Sequence, residues 1–269
     1  MKLNFMIKPV IGVIHLPPLP GSPLYRGWEK NFEEIIDKAL KDAMALTEGG
    51  VDAIIVENYG DKPFEPRVRR PETIAALSVI VREVKKATGL IVGVNVLRNS
   101  APEALAIAYV AGASFIRVNS LVYPRYAPSG ILEPVARELI ELKTKLNADI
   151  QILADIHVKH SVPIPGLTIE EEAKEAVERG LADALIVTGT RTGEPVEPKD
   201  VALAKTAGKP VLIGSGITPK NIRLYWRIAN GFIVGSYFKQ EQRPENPVVV
   251  ARVKELMDLV KLLRRKEGL

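Results

Sequence analysis

Six consecutive residues, Asp155-Ile156-His157-Val158-Lys159-His160, supply a carboxylate, two imidazoles and an amine. These are the groups that proton transfer to and from a bound substrate calls on. In an extended strand, alternation sends Asp155 and His157 to the same side. Asp155 then orients His157 or takes a proton itself, Lys159 stabilises an enolate or oxyanion, and Glu57 is a further candidate base. The competing reading of Asp155 is a core ion pair with Arg117, and that of His160 is an exposed loop residue. His15, Asn58, Asn95, Arg117, Asn119, Thr188 and Thr190 also stand at the ends of apolar runs; all but Thr190 are taken as substrate contacts. His15, Glu57, Asp155 and His157 form a mixed N/O set suited to Zn²⁺, Mn²⁺ or Fe²⁺, but no HxH or HExxH spacing supports it. No cofactor is assigned, and a divalent metal stays open as an alternative.

A second signal lies near the end of the chain. Val211-Leu212-Ile213 runs into Gly214-Ser215-Gly216, and Phe232-Ile233-Val234 runs into Gly235-Ser236. Glycines let backbone N–H groups approach an anion, Ser215 adds a hydroxyl, and a helix starting at Thr218-Pro219 or after Gly235 adds the positive end of its dipole. The competing reading is a pair of tight turns. Lys239 is either a phosphate partner or a solvated surface lysine.

The elements that must position these residues follow from hydrophobic periodicity. Apolar, β-branched runs at Pro9–His15, Asp52–Asn58, Leu90–Leu97, Ser114–Asn119, Asp149–Ile156, Ala184–Thr188, Pro210–Gly214 and Gly231–Gly235 read as strands. Each precedes an amphipathic stretch: Phe32–Thr47, Pro71–Ala87, Pro102–Ala111, Leu132–Leu146, Ile169–Arg179, Pro198–Ala207, Pro219–Ile228 and Val248–Arg265. Eight such repeats predict an α/β fold, a (β/α)₈ TIM barrel forming a single domain over 1–269 with a C-terminal helix at 248–265. An open doubly wound sheet would want GxGxxG after the first strand, where the chain has His15-Leu16-Pro17-Pro18-Leu19-Pro20-Gly21. In a barrel the chemistry sits at the C-terminal strand ends, with phosphate commonly held after the seventh and eighth strands. Both glycine loops occupy those places.

The chain has 269 residues, 46% hydrophobic, and a net charge of +5. That surplus is too small to indicate a polyanionic partner, and the one basic group, Arg67, Arg69 and Arg70, lacks the aromatic interleaving of a nucleic-acid surface. Those arginines, and the Tyr25, Arg26 and Trp28 loop after the first strand, lie over the mouth as candidate lids; the arginines read as substrate-recruiting groups or, equally, as a solvated loop or a subunit contact. Absent cysteines, no secretion signal and no long apolar run predict a cytoplasmic protein without an integral membrane segment. Dense Lys/Glu patterning leans towards a thermophilic source, and a homo-oligomer is the default for a soluble chain.

Val13-Ile14-His15-Leu16-Pro17-Pro18-Leu19-Pro20-Gly21-Ser22-Pro23, Glu57-Asn58-Tyr59-Gly60-Asp61-Lys62-Pro63-Phe64, Ile116-Arg117-Val118-Asn119 and Ala154 to His160 together resemble the BtpA/SgcQ family, as do Ile186 to Gly193 and Gly214-Ser215-Gly216. That family takes its name from a cyanobacterial photosystem I biogenesis protein and is shared by organisms without a photosystem. The resemblance implies a phosphate-binding barrel and carries over no catalytic reaction. The chain departs from the family pattern at Ala127-Pro128-Ser129, Asn230 and Gln240–Pro247. Three functions follow: an enzyme on a small phosphorylated metabolite, such as a sugar phosphate or nucleotide, using Asp155, His157, Lys159 and Glu57; a non-catalytic biogenesis or stability factor; and a metal-dependent hydrolase. The polar strand ends favour the first.

Overall fold

The computed structural model describes residues 1–27, 31–189 and 194–269. Eight parallel strands close into a barrel: β1 (Val10–His15), β2 (Ala53–Glu57), β3 (Ile91–Asn95), β4 (Phe115–Val118), β7 (Gln151–Ile156), β8 (Ala184–Val187), β9 (Val211–Ile213) and β10 (Gly231–Val234), with β10 pairing back onto β1. A short antiparallel hairpin, β5 (Arg125–Ala127) and β6 (Gly130–Leu132), is inserted after β4. Helices α1 (Phe32–Gly49), α2 (Pro71–Thr88), α3 (Ala101–Ala111), α4 (Ala136–Lys145), α5 (Ile169–Glu178), α6 (Pro198–Lys205), α7 (Ile222–Tyr225) and α8 (Val250–Glu267) follow the barrel strands in turn. The barrel expected from periodicity is the fold observed.

Alternate residues of each strand point inward. Ile11, Val13, Ile55, Phe115, Leu153, Ile186, Leu212 and Ile233 fill the interior, and Leu3 and Phe5 close its N-terminal end. Two residues further along the same inward rows stand His15, Glu57, Arg117 and Asp155. The row of apolar interior residues thus becomes a ring of polar ones at the mouth, and the remaining strand residues pack outward on the helices.

Three helices begin two or more residues later than predicted. Leu132 belongs to the hairpin, opposite Arg125, so the fourth helix begins at Ala136, beyond Pro134, whose ring disfavours helix in the residue before it. The predicted seventh helix shrinks to Ile222–Tyr225, because Asn221 accepts from Thr218 N and donates to the Gly216 carbonyl, holding the preceding segment as a turn. The last helix starts at Val250, since Val248 N donates instead to Asp42.

Candidate active site at the barrel mouth

The centre of the mouth is a charge-paired clamp. Arg117, 5% exposed, makes a two-pronged contact with Asp155, Nε to Oδ2 and Nη2 to Oδ1, both 2.9 Å. Its Nη1 reaches Glu57 Oε1 at 3.3 Å, and Asn119 Nδ2 donates to Asp155 Oδ2 at 2.5 Å. Glu57 Oε1 also accepts from Asn95 Nδ2 at 3.0 Å. The two carboxylates hold the guanidinium well above its ordinary pKa, against the cost of burial. Asp155 is therefore spent on the ion pair and does not line the cavities, which corrects the expectation that it acts as the first catalytic base.

His157 is also displaced. Its backbone has φ of 49°, so the strand ends at Ile156 and alternation does not carry past it. The ring turns to the outer side of the barrel, with Nε2 at 3.5 Å from Glu172 Oε2, and the backbone N–H donates to the same oxygen. Glu172 is meanwhile paired with Arg125, which also donates to Ser161. With Asp155 locked and His157 turned away, the proposed metal set of His15, Glu57, Asp155 and His157 does not converge. Among the described residues no group of three or more His, Asp or Glu side chains is arranged to hold a metal ion.

Lys159, His15 and the second oxygen of Glu57 do face the opening. Lys159 lines both a cleft towards β9 and β10 and a chamber of about 560 Å³ beneath the loop after β2. Its pKa falls to about 8, through burial first and then repulsion by Arg117, opposed by Glu57 and Asp155. Its backbone is held from both sides, by Thr188 Oγ1 on its N–H and by Arg98 Nη2 on its carbonyl. Thr188 is thus a support for this loop and does not line the cavities. His15 Nδ1 lies 3.1 Å from the Pro244 carbonyl, an arrangement that assigns the proton to Nδ1 and leaves Nε2 as an acceptor, 3.9 Å from Glu57 Oε2. Burial, with Lys239 and Lys159 nearby, holds the imidazole pKa well below its ordinary value.

The cleft is walled by the two glycine loops, Gly214 to Thr218 and Gly235 to Tyr237. Among the described residues none accepts from the backbone N–H of Gly216 or Ser236. Gly216 has φ of 70°, and a Cβ there would lie 2.5 Å from the Glu194 carbonyl; at Gly235 a Cβ would meet the His15 ring at 2.9 Å. The Ser215 hydroxyl, however, accepts from Gly189 N and donates to the Glu194 carbonyl, so it is not the anion donor expected. The expected helix dipole is not supplied either: α7 has four residues, and a three-residue 3₁₀ turn, Ser236–Phe238, follows Gly235. Lys239 is neither at the cleft nor solvated; it is 0% exposed and pairs with Asp42 at 2.6 Å.

The chamber's roof comes from Tyr59, Lys62, Pro63 and Phe64, with Pro128 and Ser129 of the hairpin tip. Asn58 lines neither the cleft nor the chamber and anchors that roof, accepting from Leu97 N and donating to Asp61. Arg67 pairs with Glu103 and Glu138, and Arg70 with Glu65, so these arginines fasten the loop to its neighbours. Asn95, Asn119 and the exposed His160 line the chamber. Trp28 and Thr190 lie outside the described residues. Arg98 and Pro244 were missed: each sits beyond a strand end, where no periodic signal marks it. Asn230 is structural, accepting from Val211 N.

A family model described as the BtpA family matches residues 6–262. The chain belongs to the BtpA family. It is 48% identical over 263 residues to a protein of Pyrococcus horikoshii, covering 97% of this chain and 99% of that one. Another family relative, the photosystem I biogenesis protein BtpA of Synechocystis, is 41% identical over 253 residues, 93% of this chain and 87% of that one. Among solved structures the chain is similar to phosphoribosyl anthranilate isomerase from Thermus thermophilus, with a TM-score of 0.58 and 16% identity over 95% of this chain and 100% of that one. It is also similar to a 3-hexulose-6-phosphate synthase, with a TM-score of 0.60 and 17% identity over 93% of this chain and 99% of that one. At those identities the likeness is one of fold, which leaves activity to be argued from the site.

Proposed function

We propose that this BtpA-family chain is an enzyme acting on a small phosphorylated metabolite, a sugar phosphate or nucleotide, by acid/base chemistry at the barrel mouth. One observation carries the reading: His15, Glu57, Arg117 and Lys159 line both the glycine-walled cleft and the larger chamber. A ligand whose phosphate takes the backbone donors of the cleft therefore presents its carbon skeleton to an amine, a carboxylate and an imidazole. The phosphorylated compounds in the names of the two barrel neighbours support the same class of ligand.

The roles follow from the geometry. Lys159, cationic at neutral pH yet with a pKa near 8, stabilises negative charge developing on an enolate or oxyanion and can return a proton. Glu57 is fixed through Oε1, leaving Oε2 to abstract a proton, while His15 Nε2 accepts from a substrate hydroxyl. Arg117, Asp155, Asn95 and Asn119 are positioning residues for Glu57.

The test is thermal shift against inorganic phosphate, sugar phosphates, nucleotides and divalent metals, followed by turnover assays on whatever binds. Phosphate esters are expected to raise Tm, with Lys159→Met keeping binding and losing about a hundredfold or more in kcat. Stabilisation by metals alone would overturn the reading. A partner-binding role without catalysis, suggested by the name of the Synechocystis relative, has one feature in its favour. Ile131, Tyr126 and Val162 form an exposed apolar row across the hairpin and its bridge to Val162. That reading predicts no response to any phosphate ester and an association lost in Tyr126→Glu.

A further inference from the structure

We infer that Arg98 forms a second anion-binding subsite, so that the ligand carries another anionic group, a carboxylate or a second phosphate, at the end remote from the glycine cleft. The inference rests on the phosphate reading above and narrows its substrate class.

Arg98 is 7% exposed and lines the chamber but not the cleft. Its Nη2 donates to the Lys159 carbonyl at 3.1 Å, while its Nε is buried with no partner. Among the described residues no carboxylate lies within ion-pair distance of it, in contrast to the buried Arg117 and Arg125, each paired with acid. A buried guanidinium without a counter-ion is costly, and folded chains ordinarily pair such a group. The surrounding loop fixes it in place: Leu97 N donates to Asn58 Oδ1, and Asn99 N donates to the Pro66 carbonyl.

The charge of the chamber points the same way. Lys62, Arg98, Arg117 and Lys159 line it against one carboxylate, Glu57. Asp155 behind them is consumed by Arg117. Positive charge therefore remains at the Arg98 end, away from the phosphate cleft. A guanidinium fork matches the two oxygens of a carboxylate or phosphate. A cavity of about 560 Å³ is of the size that holds a metabolite extended from one end to the other.

Calorimetric titration of the full chain with matched ligands tests this. The pairs are glycerol 3-phosphate with 3-phosphoglycerate, glucitol 6-phosphate with 6-phosphogluconate, and fructose 6-phosphate with fructose 1,6-bisphosphate; inorganic phosphate is the reference. In at least one pair the doubly anionic member is expected to bind about tenfold more tightly than its partner. The first two pairs report a carboxylate, the third a second phosphate. Arg98→Met should erase that advantage and leave inorganic phosphate binding unchanged, with Arg98→Lys recovering part of it. If the esters bind but no doubly anionic member gains, or if the gain survives Arg98→Met, the subsite is overturned and the phosphate reading stands. If neither inorganic phosphate nor any ester binds, the phosphate reading falls and the subsite with it.

Discussion

Arg117 and Arg98 lie at the same end of the barrel and are buried almost equally, at 5% and 7% exposure. Arg117 is charge-paired, with its Nε, Nη1 and Nη2 each donating to Asp155 or Glu57; Arg98 has one carbonyl partner and an orphaned Nε. Burial alone thus fails to separate a group that holds the site together from one available to a ligand. The useful distinction is how far the group's charge and hydrogen-bonding capacity are already met by partners. By that measure Asp155, Asn58, Thr188 and Ser215 belong to the framework, while Lys159, Arg98 and Glu57 line the cavities with polar atoms left open.

The largest effect expected from this contrast is on stability. Asp155→Ala leaves Arg117 buried with only its longer contact to Glu57, and should cost roughly 3–5 kcal/mol in urea unfolding. Arg98→Met deletes a charge that has no counter-ion; the lost bond to the Lys159 carbonyl is offset by relief of desolvation, and stability should stay within about 1 kcal/mol of the parent. Equal losses in the two variants would show that saturation does not distinguish them.

The sequence carries part of this contrast. The strands are legible because their apolar, β-branched runs are longer than any turn, and His15, Glu57, Asn95 and Arg117 continue the inward rows in phase. The same rule fails at His157, where a left-handed backbone at a non-glycine residue breaks alternation without a local marker. The hairpin is hidden because Leu132 and Ile131 extend an apolar pattern that reads equally well as helix. The identity of each buried partner is also invisible locally: Lys239 meets Asp42, 197 residues away in sequence. Periodicity fixes which way a side chain points, whereas saturation depends on residues from several repeats.

Asp61 sharpens the comparison with a buried acid that has hydrogen bonds but no paired cation among the described residues. It accepts from Leu19 N at 2.8 Å and Asn58 Nδ2 at 3.0 Å, yet burial raises its pKa to about 6. Between its unfolded value, about 3.9, and about 6, the folded chain binds more protons than the unfolded one, so stability falls as pH rises through that window. The loss should approach at most roughly 3 kcal/mol, and the difference curve between parent and Asp61→Asn isolates it. A difference curve flat from pH 4 to 6 would mean that its hydrogen bonds compensate the charge as fully as the acids around Arg117 do.

A small effect on ligand affinity is expected at Ser215, which sits in the wall of the glycine cleft and still belongs to the framework. Its single hydroxyl proton is committed to the Glu194 carbonyl at 3.0 Å, and its oxygen accepts from Gly189 N at 2.8 Å. Ser215→Ala therefore strands a buried N–H and should cost about 1–2 kcal/mol of stability. The cleft's backbone donors are untouched, so the affinity for inorganic phosphate should change less than about threefold, because the hydroxyl cannot donate to the anion and to Glu194 together. A tenfold loss of phosphate affinity with unchanged stability would reverse the assignment, placing the Ser215 proton on the ligand and not on the Glu194 carbonyl.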